Sequence, residues 1–294
     1  MNKKCFVDPS ITLSDKDILF LNNLNLEVVN YDKNECDHRE INCFLLHSQC
    51  ADKQLLQMEN CKYIGIRAHN TDYVNKQITE QQGIKIQGLK KQHSINAVAE
   101  HAFSLIFALT KNLINTHQNV VEGEWRNGLS LNYELNNKKL GLIGYGQIGR
   151  KVAELGKAFG MEILIAGKKG SDQVDEINLE QVLKEADIIS LHLSSKQENY
   201  NYIGHEQLAL MKDNSILINT ARGSVLDYNA LDGYLKQGKF LGVGLDVFDK
   251  EPLLKSPLTN YSNVILTPHS AYMTNETLDE MNNELLENLK IFLK

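Results

Sequence analysis

Short apolar runs alternate with amphipathic stretches along most of the chain. Runs at 5–7, 26–29, 43–46, 63–66 and 84–86 have the length and composition of buried strands. Between them, 14–24 and 52–58 repeat apolar residues at helical spacing, with Ser14 and Asp52 where N-caps belong. The pattern changes at Asn96. Residues 97–114 are apolar round most of a helical circumference, which predicts one long, largely buried helix. Residues 115–138 turn polar, with Gly123, Trp125 and Gly128. That stretch is too long for a tight connection and predicts an arm or interface segment, in which Trp125 suits an interface anchor or core filler equally. Strands follow at 140–143, 163–166, 188–193, 215–219, 241–246 and 264–266, helices at 206–211 and 229–237, and an amphipathic helix over 276–293.

This alternation implies an α/β fold of parallel sheets covered on both faces, with ligands at the carboxyl ends of the strands. The last helix is free to return to the N-terminal sheet, which would make the first domain discontinuous. Arg67-Ala68-His69-Asn70-Thr71-Asp72 follows the 63–66 strand and is therefore a candidate substrate loop.

The stretch 140–166 is more specific. Gly144-x-Gly146-x-x-Gly149 joins a strand to a helix marked by Val152, Ala153, Leu155 and Phe159, and a second strand completes a βαβ unit. Gly144 permits the tight turn, Gly146 lets backbone approach a pyrophosphate, and Gly149 lets helix and strand pack closely. The pyrophosphate would sit on the helix N-terminus, where unpaired N–H groups and the dipole favour an anion. Gly144, Tyr145, Gly146, Gln147, Ile148 and Gly149 are thus expected to bind a dinucleotide.

Composition narrows the classes further. The 294 residues admit two domains, and 42% hydrophobic with 23% charged residues is the balance of a globular protein. A net charge of −6 argues against nucleic acid or an anionic membrane as partner. No run approaches the length of a membrane span, and Asp8 and Pro9 interrupt any signal-peptide core behind Lys3 and Lys4. A cytoplasmic location is expected. Cys5, Cys36, Cys43, Cys50 and Cys61 include no C-x-x-C pair and read as reduced thiols. His38 and His47 lie among them, but the spacing fits no zinc pattern and no metal is expected.

Three later loops, each after a strand, carry groups of different kinds: Asn219-Thr220-Ala221-Arg222-Gly223, then Asp246 to Glu251-Pro252, then Thr267-Pro268-His269. Arg222 offers a rigid fork of donors to a carboxylate. His269 is a proton donor suited to neutral pH, and Glu251 a group to keep it protonated. Reduction of a 2-oxo acid needs an anion clamp, a proton donor and that partner. Arg222, His269 and Glu251 fill these roles in turn.

With these residues the chain resembles the D-isomer-specific 2-hydroxyacid dehydrogenases. The resemblance runs from about Val98 to Ala271, through Val98-Ala-Glu-His101, Gly144-Tyr-Gly-Gln-Ile-Gly149, Ile218-Asn-Thr-Ala-Arg-Gly223, Leu245-Asp-Val-Phe248, Glu251-Pro252 and Thr267-Pro-His269. It implies two doubly wound domains, a Rossmann nucleotide-binding domain at 96–268 inserted into a flavodoxin-like substrate domain at 1–95 and 269–294. It implies His269 as acid/base, Glu251 as its partner, and Arg222 on the substrate carboxylate and carbonyl. Thr220, Ala221 and Asp246 would face the cofactor, and Ala68, His69 and Asn70 the substrate. A homodimer built partly from the arm after the long helix is also implied.

The chain departs from that pattern in three places. The acidic residue that would bind the ribose is replaced by Gly167, followed by Lys168 and Lys169, an exchange of carboxylate for cations that a 2′-phosphate requires. NADP is therefore expected ahead of NAD, with Asp172 as a remaining ribose ligand. Ala68-His69-Asn70 replace the usual glycines of the substrate loop; His and Asn tolerate left-handed backbone, so a nest of N–H groups can persist. Gly88 to Ile95 lacks the common Asn-x-Pro-Gly turn, and Leu193-Ser-Ser lacks the usual Pro and Thr. Two other readings stand: a nucleotide-sensing scaffold of the same fold, disfavoured by the lack of an interaction tail, and a dehydrogenase for a phosphorylated hydroxyacid, for which Arg67, Lys90 and Lys91 supply cations. Glu251 speaks against a formate-oxidising relative.

Overall fold

The computed structural model describes residues 3–32, 37–167 and 178–294. In the first part of the chain the apolar runs become β1 (Lys3–Val7), β2 (Leu26–Asn30), β3 (Cys43–Leu46), β4 (Tyr63–Ile66) and β5 (Lys85–Gln87). Helices α1 (Asp15–Asn23), α2 (Asp52–Leu56) and α3 (Lys76–Gln81) lie between them. Ser14 caps α1 in a reciprocal capping box with Asp17, the arrangement that satisfies orphan N–H groups at a helix start. All pairings are parallel, in the order β2-β1-β3-β4-β5.

From Ser94 the chain builds a second sheet. Helix α4 (Ile95–Thr110) and α5 (Leu113–Glu122) precede β6 (Lys139–Ile143), α6 (Gln147–Ala158), β7 (Glu162–Ala166), α7 (Leu179–Glu185) and β8 (Ile188–Leu191). Then come α8 (His205–Leu210), β9 (Ser215–Asn219), α9 (Tyr228–Lys236), β10 (Phe240–Leu245) and β11 (Val264–Leu266), and α10 (Asn275–Leu293) ends the chain. This sheet is also parallel, in the order β11-β10-β9-β8-β6-β7. Its two faces bury separate clusters, one around Leu183, Leu217 and Val243, the other around Phe103, Leu142 and Ile218.

Two compact units result, 1–93 with 274–294, and 94–273. Helix α10 belongs to the first: Leu285, Leu286 and Leu289 are buried with Cys5, Leu45 and Tyr63, and Gly65 on β4 leaves room for Leu285. The second crossing lies at 273/274, not at 268/269, so His269 belongs with the nucleotide-binding unit. The cause is local. The His269 N–H donates to the Asp246 carbonyl at 2.8 Å, and the Ser270 and Ala271 N–H groups donate to the Asp246 carboxylate, each at 2.9 Å.

The expected single helix over 97–114 is two helices. It stops at Thr110, and Asn112 adopts left-handed backbone (φ 49°) from which α5 starts at an angle of 54°. The Thr110 hydroxyl donates to the Ile106 carbonyl at 2.8 Å, and the Asn115 amide bonds the Asn112 side chain at 2.7 Å. Both are local bonds that compete with a continuous helix, and Asn tolerates the left-handed state. Eight residues of the expected irregular arm are therefore helical, yet α5 buries none of its residues. Among the described residues no single helix is long and apolar enough to cross a membrane. Helix α3 carries one apolar residue, Ile78, whereas α7 places Leu179, Val182 and Leu183 at helical spacing; both start from side-chain caps, Asn75 and Asn178.

Candidate active site

The glycine turn follows β6, and β6 and β8 are the neighbours between which the strand order reverses, the crevice where such sheets bind ligands. Gly144 has φ +96°, and a Cβ there would fall 2.6 Å from the His192 carbonyl oxygen. A Cβ on Gly149 would lie 2.5 Å from the Gly144 oxygen. Both positions exclude a side chain because protein backbone already fills the space. Gly146, at the N-cap of α6, differs: a Cβ there meets nothing within 4 Å among the described residues. Open backbone at a helix N-terminus suits an anion such as a pyrophosphate. Two buried polar atoms nearby have no partner among the described residues, Thr220 Oγ1 and His192 Nε2. Burial pushes the His192 imidazole down to about 4, so it is neutral. The residues present fit a dinucleotide.

Gly167 follows the second strand of this unit directly; among the described residues a Cβ there would make only ordinary contacts, at 3.8 Å to Ile165 and Tyr145. Lys168, Lys169 and Asp172 lie outside the described residues, as does Cys36. Among the described residues no group of three or more His, Cys, Asp or Glu side chains is placed to hold a metal.

The three chemical loops start level with one another. Leu245 pairs with Asn219 on one side and Leu266 on the other, so β9, β10 and β11 end at one height. From there His269 Nδ1 and Glu251 Oε2 meet at 2.7 Å. The other oxygen, Oε1, accepts the Phe248 N–H at 2.9 Å, which fixes the carboxylate. Since the carboxylate can only accept, His269 Nδ1 carries the proton, and Nε2 is the nitrogen left to face a substrate. His269 itself sits in left-handed backbone, φ +54°, a state that a side-chain-bearing residue adopts when its surroundings impose it.

Arg222 is exposed, and its Nη1 folds back on the Ala221 carbonyl at 2.6 Å. No hydrogen bond among the described residues joins it to Glu251 or His269. What brings its loop to theirs is Gly223, where a Cβ would lie 1.9 Å from the Phe248 carbonyl oxygen. Asn219 shapes the same loop, donating to the Arg222 carbonyl at 3.0 Å and accepting from the Ala221 N–H at 3.1 Å.

Asp246, expected to face the cofactor, is fully buried, and three donors of the His269 loop occupy its carboxylate: the Thr267 hydroxyl at 2.6 Å and the Ser270 and Ala271 N–H groups. In the first unit Ala68, His69 and Asn70 turn without left-handed backbone at any of the three, so the expected nest of N–H groups is not formed that way. Instead the Ala68 carbonyl accepts from the Leu89 N–H at 2.8 Å and the His69 ring bonds the Leu89 carbonyl at 3.0 Å. The switch point of the first sheet, between β1 and β3, is closed by protein. There the buried Asp8 carboxylate accepts from the backbone N–H groups of Ser10, His47 and Ser48 and from the Ser10 and Ser48 hydroxyls.

Comparison with known proteins agrees with this fold. Residues 103–271 match the family model for the D-isomer specific 2-hydroxyacid dehydrogenase, NAD binding domain. A glyoxylate reductase of Thermococcus litoralis is 35% identical over 271 residues, covering 87% of this chain and 82% of the relative. A glycerate dehydrogenase of Methylorubrum extorquens is 33% identical, covering 81% and 78%. Among solved structures, a D-lactate dehydrogenase from Aquifex aeolicus in complex with NAD and lactic acid has a TM-score of 0.79 at 31% identity, covering 98% of this chain and 95% of that one. An acyclic imino acid reductase in complex with NADPH and D-Arg has a TM-score of 0.83 at 28% identity, covering 99% and 97%. Matched over more than half its length and by relatives across most of theirs, the chain belongs to the D-isomer-specific 2-hydroxyacid dehydrogenases, NAD(P)-dependent enzymes of the Rossmann type.

Proposed function

We propose that this chain reduces a small 2-oxo acid to the D-2-hydroxy acid, and runs the reverse, with His269 as the acid/base. The observation that carries the proposal is the 2.7 Å bond from His269 Nδ1 to a Glu251 carboxylate that is itself fixed by the Phe248 N–H. In reduction His269 Nε2 gives its proton to the carbonyl oxygen, while Glu251 holds the ring and balances the imidazolium charge. Arg222 binds the substrate carboxylate through its fork of donors and polarises the carbonyl. The glycine turn, with Tyr145, Gln147 and Ile148, would hold the dinucleotide, and Thr220 and Ala221 its nicotinamide end. When bound, that cofactor supplies the hydride to C2.

The cofactor reading favours NADP. Gly167 offers no carboxylate to a 2′-hydroxyl, and Lys168 and Lys169 offer cations to a 2′-phosphate. The chain is further proposed to act as a cytoplasmic homodimer through its arm. In support, the segment 113–131 leaves large apolar side chains exposed, among them Trp125 at 65% and Leu131 at 91%, with Ile114 and Val121 on α5.

The test is a panel of glyoxylate, hydroxypyruvate, pyruvate and branched and aromatic 2-oxo acids with NADH and NADPH, followed by loss of the reduced-nicotinamide absorbance. Turnover of at least one small oxo acid is expected. His269→Ala should lose roughly a hundred-fold to ten-thousand-fold of it, the range for removing a general acid, with cofactor affinity within a few-fold. No turnover with any acid, or full activity in His269→Ala, would overturn the reading.

A further inference from the structure

We infer that His101, on α4, is a positioning residue for the acid/base loop. The inference rests on the proposed role of His269, and it concerns how that residue is held. His101 Nε2 lies 3.0 Å from Thr267 Oγ1, and Thr267 Oγ1 lies 2.6 Å from Asp246 Oδ1. The direction of the chain follows from proton count. An ionised carboxylate accepts and cannot donate, so the single Thr267 hydroxyl proton points at Asp246. The bond to His101 must then use a Thr267 lone pair, and His101 Nε2 must carry a hydrogen. The sequence of donors is His101 Nε2–H to Thr267 Oγ1–H to Asp246 Oδ1, with the Ser270 N–H entering the same oxygen from the other side.

Each link constrains the next. The His101 hydrogen holds the Thr267 hydroxyl in one rotor, and that rotor leaves its proton one direction, toward Asp246. The Asp246 side chain is 1% exposed, and His101 Nε2 approaches its Oδ1 to 3.6 Å. With little water to compensate, a buried carboxylate depends on the donors aimed at it. Those donors belong to the segment that carries His269: Thr267 is two residues before it, Ser270 and Ala271 directly after it. The backbone adds a further tie, since the His269 N–H bonds the Asp246 carbonyl at 2.8 Å. Asp246 thus grips both ends of a segment whose central residue is held in left-handed backbone, φ +54°. His101 reaches that grip from a different element, the buried helix α4, and ties the loop to the rigid body of the sheet.

His101→Leu and His101→Gln test this, because Gln places an amide N–H near where Nε2–H stood and Leu does not. The expected result for His101→Leu is a fall in kcat of about ten-fold or more, the scale of losing one hydrogen bond next to a buried charge, with cofactor Kd within two-fold. His101→Gln should recover kcat to within about three-fold of the native value, which loss of packing alone does not predict. Thr267→Val should match His101→Leu, and the double variant should be no worse than either single one, as for links in one chain. A second readout needs no turnover. The Ser270 and Ala271 amides should exchange hydrogen about ten-fold faster in His101→Leu and at the native rate in His101→Gln.

Native kcat in His101→Leu, equal loss in the Leu and Gln variants, or unchanged exchange at Ser270 and Ala271 would overturn the inference. If His101→Leu does not fold, Thr267→Val carries both readouts. A native chain that turns over no oxo acid fails the proposed function alone, and the exchange comparison still decides the role of His101.

Discussion

Gly223 is the position where one added methyl group should cost the most activity for the least chemistry. A Cβ at this residue would lie 1.9 Å from the Phe248 oxygen, 2.0 Å from its carbonyl carbon and 2.5 Å from the Asp249 nitrogen. All three are backbone atoms, so no side chain can rotate away. Opening the shortest contact from 1.9 Å to the 3.0 Å below which real Cβ contacts essentially never occur needs a movement of 1.1 Å between two loops. One of these loops carries Arg222. The other holds Glu251 through the Phe248 N–H at 2.9 Å, and Glu251 holds His269 at 2.7 Å. A displacement of about 1 Å among reacting groups costs on the order of a hundred-fold in rate. Gly223→Ala is therefore expected to lower kcat/KM for the oxo acid by about a hundred-fold or more. Cofactor affinity should fall by less than kcat/KM, because Thr220 and Ala221 lie on the displaced loop but the glycine turn after β6 does not share this contact. The assay is steady-state turnover beside cofactor titration by nicotinamide fluorescence. A Gly223→Ala protein within about three-fold of native kcat/KM would refute the reasoning, since it would mean the loops part without disturbing the site.

Other substitutions separate binding from folding. Gly146→Ala should leave the melting temperature unchanged and weaken cofactor binding by about ten-fold or more, because its Cβ meets open space until a ligand arrives. Gly149→Ala should lower the melting temperature itself, since its Cβ lies 2.5 Å from the Gly144 oxygen. Gly167→Asp adds a Cβ that meets only ordinary contacts among the described residues and should move the ratio of KM values toward NADH; an unchanged ratio would count against the NADP reading. Asp8 gives a pH signature. Burial alone would raise its carboxyl, but the Ser10 and Ser48 hydroxyls and the Ser10 and His47 N–H groups outweigh that and hold it below its ordinary 3.8. A depressed acid contributes stability that is complete above 3.8 and lost as pH falls through the lower folded value. In urea unfolding Asp8→Asn should be less stable than native near neutrality, with the gap closing in acid; a gap independent of pH would refute this account.

What the sequence makes legible is what local chemistry decides. Gly144, Gly146 and Gly149 announce their turn because spacing alone places them, and the strands of both sheets stand out as apolar runs. The end of α4 does not, because the pattern over 97–114 is helical throughout, and the break depends on Asn112 taking a backbone state that most residues avoid. Asp246 illustrates a different limit. Its place in a motif suggests a ligand, whereas its neighbours Thr267, Ser270 and Ala271 come from another strand's loop and appear only once the strands align. His101 lies farther still from its partners in sequence. Its neighbours in the motif say nothing about Thr267, since that contact spans 166 residues.

The return of α10 to the first sheet sets an order of events during synthesis. Leu285 fills the space left by Gly65 on β4, and Leu286 and Leu289 are buried in the same cluster. Roughly 220 residues separate Gly65 from Leu285, so at about 5–20 residues per second that face waits on the order of ten to forty seconds for its cover. Meanwhile all of residues 94–273 leave the ribosome and can close their own core. The nascent first sheet is thus left with an apolar face bare for longer than any other part of the protein. A chaperone that follows translation would find its site there, on β4.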